Sequence, residues 1–110
     1  MTDKIVVLST CGSAEEARRV AKHLVDTRAA ACVNILPGAH SVYRWKGAVE
    51  EADEWVLIIK TRRDLLERLI SELRSVHSYE VPEVLAIPVV DGLPEYLAWL
   101  DQETAAEPQG

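Results

Sequence analysis

Three almost uninterrupted apolar runs constrain the fold of this chain more than any other feature. They occupy residues 5–8, 30–36 and 55–59 and are rich in valine, isoleucine and leucine. Continuous runs of this kind predict strands buried on both faces, because a strand with one wet face alternates apolar and polar residues. With 110 residues, 48% of them hydrophobic, the chain has room for one domain built around such a sheet.

Two amphipathic helices are predicted between these strands and a fourth one. Residues 13–16 have the S-x-x-E form of a capping box, and apolar residues at helical spacing follow to about Thr27. A second helix is predicted from a cap at Asp64 to Val76. The order strand, helix, strand, strand, helix, strand, with right-handed crossovers, predicts a mixed α/β (α+β) ferredoxin-like sheet with both helices on one face.

The hairpin between the second and third strands is long. Residues 41–45 lead to a turn at 46–47, and an acidic stretch at 50–54 leads back toward the sheet. This pattern predicts a two-stranded arm that carries Tyr43 and Trp45 away from the sheet. The alternative is that the arm folds back over its own sheet.

The C-terminal part is predicted to hold an edge strand and a short helix. The strand at 84–90 contains Pro88, which cannot donate to a ladder and is tolerated at a sheet edge. The helix begins near Pro94. We expect one domain over residues 1–103 and a disordered tail over 104–110.

The predicted sheet has more apolar surface than one chain can cover. If both helices pack on one face, the opposite face stays apolar, and the short last helix shields only part of it. Leaving valine, isoleucine and leucine side chains in water costs roughly 1.5–3 kcal/mol each. We therefore expect the chain to associate with copies of itself, with the aromatic arm braced by a neighbour.

Charge and composition argue against several classes of partner. The net charge is −6 and the pI is near 5.0, which opposes binding to nucleic acid or to an anionic membrane. The apolar run at 5–8 is too short for a signal peptide or a membrane span, so we expect a cytoplasmic protein. Cys11 and Cys32 form no CxxC pair, and a reducing compartment keeps both as thiols.

One set of polar residues is predicted to converge where the third strand ends and the second helix turns back. The set is Lys60, His77, Tyr79, Glu80 and Glu83. A structural network between subunits or a ligand site is favoured for it over acid–base catalysis.

The candidate metal ligands are cysteine and histidine side chains. Copper-type metals prefer thiolate and imidazole, which makes His77, Cys11 and Cys32 the candidates. The alternative is that both cysteines are small buried hydrophobic residues, Cys32 above all. His23 and His40 are predicted to be exposed surface residues rather than ligands.

Five short segments together resemble the CutA family of divalent-cation tolerance proteins. They are Ala-Cys-Val-Asn at 31–34, Ser-Val-Tyr-Arg-Trp at 41–45, Ile-Lys-Thr at 59–61, His-Ser-Tyr-Glu-Val-Pro-Glu at 77–83 and Tyr-Leu-Ala-Trp at 96–99. The resemblance spans residues 5 to about 101. It implies a homotrimer of ferredoxin-like subunits, similar to PII signalling proteins, that acts in tolerance of copper or other divalent metals without established catalysis.

The resemblance also implies where ligands bind. The copper ligands proposed in the family are a cysteine at the end of the first strand and paired histidines before the tyrosine. Here Ser9 and Val76 occupy two of these positions, His77 matches, and Cys11 is displaced by two residues. Independently of the resemblance, we expect a cleft between subunits that contains Lys60, Tyr79, Glu80, Glu83, Tyr43, Trp45 and Trp99.

No cofactor is expected to be required, and copper or another divalent cation is the expected ligand. A PII-like regulatory trimer that binds a small metabolite between subunits is the alternative function. A hydrolase of the acylphosphatase type ranks last, because the first loop has no arginine to hold a phosphate.

Overall fold

Four strands and three helices make up the computed structural model of the chain, which describes residues 1–106. In chain order they are β1 (Lys4–Cys11), α1 (Ala14–Asp26), β2 (Cys32–Trp45), β3 (Ala48–Arg62), α2 (Leu66–Val76), β4 (Leu85–Pro88) and α3 (Pro94–Thr104). A short 3-10 turn, Arg63–Leu65, precedes α2.

The strands form one sheet in the order β2-β3-β1-β4, and every neighbouring pair is antiparallel. This is the predicted ferredoxin-like arrangement, in which β3 lies between the two strands that α1 connects. β4 is an edge strand, as the proline predicted, and Pro88 at its end pairs with Ile5. It is shorter than the predicted strand at 84–90.

The core lies on the face of the sheet that α1 and α2 cover. Alternate residues of β1 and β3 point to this face, and Val7, Leu57 and Ile59 are fully buried. Val20 and Leu24 of α1 pack on them, together with Leu69 and Leu73 of α2. Both helices therefore cover one face of the sheet.

The opposite face is only partly covered. Lys4 and Arg62, which lie on this face at one end of the sheet, bind α3: the Lys4 ammonium is 3.0 Å from a carboxylate oxygen of Asp101, and Arg62 Nε donates to Thr104 Oγ1 at 3.0 Å. Toward the other side, Ile87 of β4 remains 47% exposed. The short last helix therefore leaves apolar surface uncovered within one chain.

The arm is the distal half of the hairpin formed by β2 and β3. It comprises residues 39–45 and 48–54, which pair only with each other because β1 pairing ends at Trp55. Lys46 and Gly47 have φ values of 49° and 84°, as a two-residue type I′ turn requires. Val42 and Val49 are each 62% exposed, so the arm projects from the sheet and does not fold back over it.

Two boundary predictions need correction. Asp64 does not cap α2: Leu65 is the cap residue and makes no side-chain cap bond, while Asp64 lies in the 3-10 turn, 3.5 Å from Arg62. α3 extends to Thr104, which was assigned to the tail. Thr104 is buried, and its hydroxyl donates to the Leu100 carbonyl at 2.7 Å.

Residues 107–110 of the predicted disordered tail lie outside the residues that the structure describes. Within residues 1–106, no helix is long and apolar enough to cross a bilayer.

Candidate functional site

Three potential metal ligands meet where β1 ends. Cys11 is the last residue of β1, Glu16 lies in the first turn of α1, and His77 follows the last residue of α2. One ligand atom from each lies within 4.8 Å of the others, and no other such group of three occurs within residues 1–106. We call these three residues the Cys11 cluster.

Local structure at the start of α1 directs Glu16 into this cluster. Ser13 caps the helix as predicted, because its hydroxyl accepts the Glu16 backbone N–H at 3.1 Å. The Glu16 carboxylate accepts the backbone N–H of Ser78 at 3.0 Å. This hydrogen bond connects Glu16, at the start of α1, to the segment that follows α2.

Hydrogen bonds fix the tautomer of His77. Its Nε2 lies 2.7 Å from the Thr10 carbonyl, and because a carbonyl only accepts, Nε2 carries the hydrogen. Its Nδ1 accepts the backbone N–H of Tyr79 at 3.1 Å, and the Cys11 Sγ lies 3.6 Å from Nε2. Both ring nitrogens are engaged, so a metal can bind His77 only by displacing one of these bonds.

The charges in the cluster are set by burial and by hydrogen bonds. Burial, reinforced by the carboxylates of Glu16 and Glu54, raises the pKa of Cys11 to about 12. Burial also acts to raise the pKa of Glu16, but hydrogen bonds from Ser78 outweigh it, so this pKa is lowered. At neutral pH the cluster therefore holds a protonated thiol beside an ionised carboxylate, which disfavours nucleophilic chemistry at Cys11.

A groove of about 780 Å³ lies between the arm and the segment that follows α2. Its lining residues are Thr10, Ser41, Val42, Tyr43, Trp45, Glu50, Glu54 and residues 78–83. Tyr79 bridges its two sides, because its hydroxyl donates to Glu54 Oε2 at 2.7 Å. Burial, with a further contribution from Glu54, raises the pKa of Tyr79. We call this space the arm groove.

Gly12 allows Tyr79 to lie close to the β1–α1 loop. A Cβ atom on Gly12 would lie 3.1 Å from the Tyr79 hydroxyl oxygen, tighter than ordinary van der Waals contact. The ring of Tyr79 in turn contacts His77, with 4.7 Å between the ring centroids. The Cys11 cluster and the arm groove are therefore adjoining sites.

Within one chain, the structure brings together most but not all of the residues predicted for the cleft. Those that line the arm groove are Tyr43, Trp45, Tyr79, Glu80 and Glu83. Lys60 does not line it, because Lys60 lies six residues from Glu54 along β3, about 20 Å away in an extended strand. Trp99 lies on α3, where it stacks with Tyr96 at a centroid distance of 5.5 Å.

The two cysteines lie on opposite faces of the sheet. Cys11 points into the core, whereas Cys32 pairs with Lys60 on the other face and lies 3.9 Å from its ammonium. Lys60 also donates to Asn34. Of the predicted metal ligands, Cys11 and His77 meet, and Cys32 is not part of their cluster.

Two acidic residues of the site were missed by the sequence analysis. Glu16 was assigned to a helix cap, and Glu54 to the acidic stretch of the arm. In the structure they are 6% and 7% exposed, respectively. Glu54 comes directly before the buried run of β3, and this position was the one sign that its side chain is buried. An acidic run does not itself show which of its side chains points inward.

Family comparison gives this geometry a context. The family model for the CutA1 divalent ion tolerance protein matches residues 5–103. The chain belongs to the CutA family. The Thermus thermophilus divalent-cation tolerance protein CutA is 48% identical over 90% of this chain and 96% of its own length.

Solved CutA structures have the same fold. CutA from Xylella fastidiosa matches with a TM-score of 0.91 and 41% identity, covering 94% of this chain and 100% of that one. A CutA from Archaeoglobus fulgidus, named as a periplasmic divalent cation tolerance protein, matches with a TM-score of 0.89 and 39% identity, covering 93% and 99%. The chain spans about half the length of several other CutA relatives, including those of Arabidopsis thaliana and mouse.

Proposed function

We propose that this CutA chain acts in tolerance of divalent cations as a cytoplasmic homotrimer, without catalysis, and that it binds a copper-type ion at the Cys11 cluster. The observation that carries the proposal is the meeting of a thiol, an imidazole and a carboxylate within 4.8 Å. Thiolate and imidazole are ligands that copper and zinc prefer, and three donors from three separate elements give a metal ion a defined position.

Binding at this cluster requires two changes in the site. The thiol has a pKa raised to about 12, so the metal must displace its proton. The His77 ring must give up its bond to the Thr10 carbonyl or its bond from Tyr79. The proposal therefore includes proton release on binding and a rotation or tautomer change of His77.

Competition for copper(I) between the reduced protein and a chromogenic chelator tests the proposed ligands. Replacing Cys11 by serine or His77 by glutamine is expected to weaken binding by at least the roughly 10–100-fold that loss of an outer-shell partner costs. Cys32→Ser is the matched control, because this second cysteine lies outside the cluster. Equal loss in Cys32→Ser, or none in Cys11→Ser, would contradict the assignment.

Uncovered apolar surface supports the trimer. The exposed side chains on the open face and the edges of the sheet include Leu36 (44%), Leu85 (58%) and Ile87 (47%). Sedimentation equilibrium at micromolar concentration is expected to give three times the mass of one chain. A folded single subunit at that dilution would refute this part of the proposal.

A second candidate function, a PII-like regulatory trimer, is supported by the arm groove. Its volume of about 780 Å³ suits a small metabolite, and Tyr43, Trp45 and Tyr79 supply aromatic walls. Every charged residue that lines it is a glutamate, at positions 50, 54, 80 and 83, so cationic metabolites fit its charge and nucleotides do not.

Thermal-shift measurements with amines and nucleotides test this second function. A cationic ligand that binds the folded state is expected to raise the melting temperature of the protein, and Glu54→Gln is expected to reduce the effect. Stabilisation by nucleotides alone would contradict the charge argument.

A further inference from the structure

The arm carries a histidine held between two carboxylates, separate from the Cys11 cluster. His40 of β2 lies opposite Asp53 of β3, and Glu51 is the diagonal neighbour on the same face of the ribbon. His40 Nδ1 is 2.9 Å from Asp53 Oδ1, and Nε2 is 2.8 Å from Glu51 Oε1. We call His40, Glu51 and Asp53 the arm triad.

This face of the arm is not the one that carries most of the arm groove. Strand alternation places Tyr43, Glu50 and Glu54 on the other side of the ribbon from His40. The residues that share the face of His40 are Val42, Val49, Arg44, Glu51 and Asp53. A ligand or subunit bound against the groove therefore need not cover the arm triad.

We propose that the arm triad is a divalent-cation site in which His40 Nε2 and Glu51 are the ligands and Asp53 orients the imidazole. Metal-bound histidines commonly donate their second N–H to a carboxylate, which fixes the tautomer and makes the ring a better ligand. The Asp53 carboxylate is in position for this role, because it lies within hydrogen-bond distance of Nδ1. The bond between His40 and Asp53 then leaves Nε2 for the cation.

The geometry needs little change to accept an ion. On binding, the cation takes the place of the proton between Nε2 and the Glu51 carboxylate, and that proton leaves to solvent. Zinc bonds of 2.0–2.2 Å in a tetrahedral site separate two ligand atoms by about 3.3 Å, so the observed 2.8 Å must open by about half an ångström. Glu51 is 63% exposed, so its side chain is free to move and water completes the coordination.

The consequence is a metal clip across the two strands of the arm. The triad lies just beyond the irregularity in pairing between Leu36 and Ala39, where the ribbon leaves the four-stranded sheet. A cation that bonds both strands there opposes their separation. We expect zinc to slow amide hydrogen exchange in the arm more than in the core.

Zinc titration of the purified protein, followed by calorimetry and by nitrogen-15 imidazole NMR at pH 7.5, tests the site. Zinc is expected to shift the His40 ring nitrogens, and His40→Gln is expected to remove one binding event. Asp53→Asn is expected to weaken that event roughly 10–100-fold, as loss of an orienting partner does. His23→Gln is the matched control, since His23 lies 3.0 Å from the Glu72 carboxylate and has no second carboxylate partner in the described part of the chain.

Two results would overturn the proposal: zinc binding that His40→Gln leaves unchanged, or an equal loss in His23→Gln. Glu51→Gln is an independent variant that keeps the His40 imidazole. It is also expected to lose the zinc-binding event at the arm triad. If the Cys11 cluster does not bind metal, the arm triad can still be tested, because Cys11→Ser leaves the triad intact. The NMR shifts of His40 report zinc binding at the triad directly.

Discussion

Two buried hydroxyl groups on the core face of the sheet should respond to removal with opposite signs. Ser9 of β1 is fully buried, and its Oγ has no hydrogen-bond partner among residues 1–106. Thr61 of β3 is also fully buried, but its hydroxyl donates to the Ala29 carbonyl at 2.7 Å. Leaving a buried polar group unsatisfied costs about 1–3 kcal/mol.

The expected magnitudes follow from this difference. Ser9→Ala removes the unsatisfied oxygen and leaves a space smaller than a methyl group, which costs less than about 1 kcal/mol, so the net gain in unfolding free energy is about 0.5–2 kcal/mol. Thr61→Val keeps the shape of the side chain but leaves the Ala29 carbonyl without its donor. It is expected to lower the unfolding free energy by about 1–3 kcal/mol.

Urea unfolding at one fixed subunit concentration measures both changes, because association of chains contributes to the apparent stability. The denaturant slope should be the same for both variants and the parent, so that midpoints report stability. Loss of stability in Ser9→Ala comparable to that in Thr61→Val would refute the reasoning, since it would show that the Ser9 hydroxyl has a partner.

Three further predictions concern the site itself. Burial raises the pKa of Cys11 to about 12 from an ordinary value of 9.0, so the unfolded chain loses the thiol proton at lower pH than the folded chain. The unfolding free energy is therefore expected to fall as pH rises from 9 toward 12. Cys11→Ala should remove this fall, as measured by unfolding at a series of pH values. Glu54→Gln should lower the raised pKa of Tyr79, measured by ultraviolet titration against Tyr79→Phe, and no change would contradict the Glu54 contribution. Gly12→Ala should displace the Tyr79 ring and cost about 0.5–1.5 kcal/mol, as for one lost hydrogen bond; unchanged stability and an unchanged Tyr79 titration would contradict this.

The fold was predictable because each element carries its own local signal. The apolar runs fixed the strands, the capping residue Ser13 marked the start of α1, and Pro88 identified the edge strand. The turn at Lys46 and Gly47 was also visible. Asp64 was misassigned because aspartate is common both as a helix cap and within the turn that leads into a helix.

The site was predictable only in part, because it depends on which distant segments meet. Cys11 and His77 are 66 positions apart, and only ligand chemistry and the family resemblance suggested pairing them. The same chemistry added Cys32, which strand alternation then placed on the opposite face. Glu16 and Glu54 were missed because an acidic side chain in a cap or in a charged run is usually solvated, and only tertiary contacts bury it.

The two rims of the sheet differ in a way that matters for solubility. β4 spans four residues and ends in a proline, which makes it a poor template for a foreign strand. β2 spans fourteen residues and pairs within the described chain only with β3, so its outer side offers free amide and carbonyl groups before and after the irregularity at Pro37 and Gly38. Fibrillar aggregation of an unassembled chain would therefore begin along β2, and a lysine introduced on that rim should suppress it.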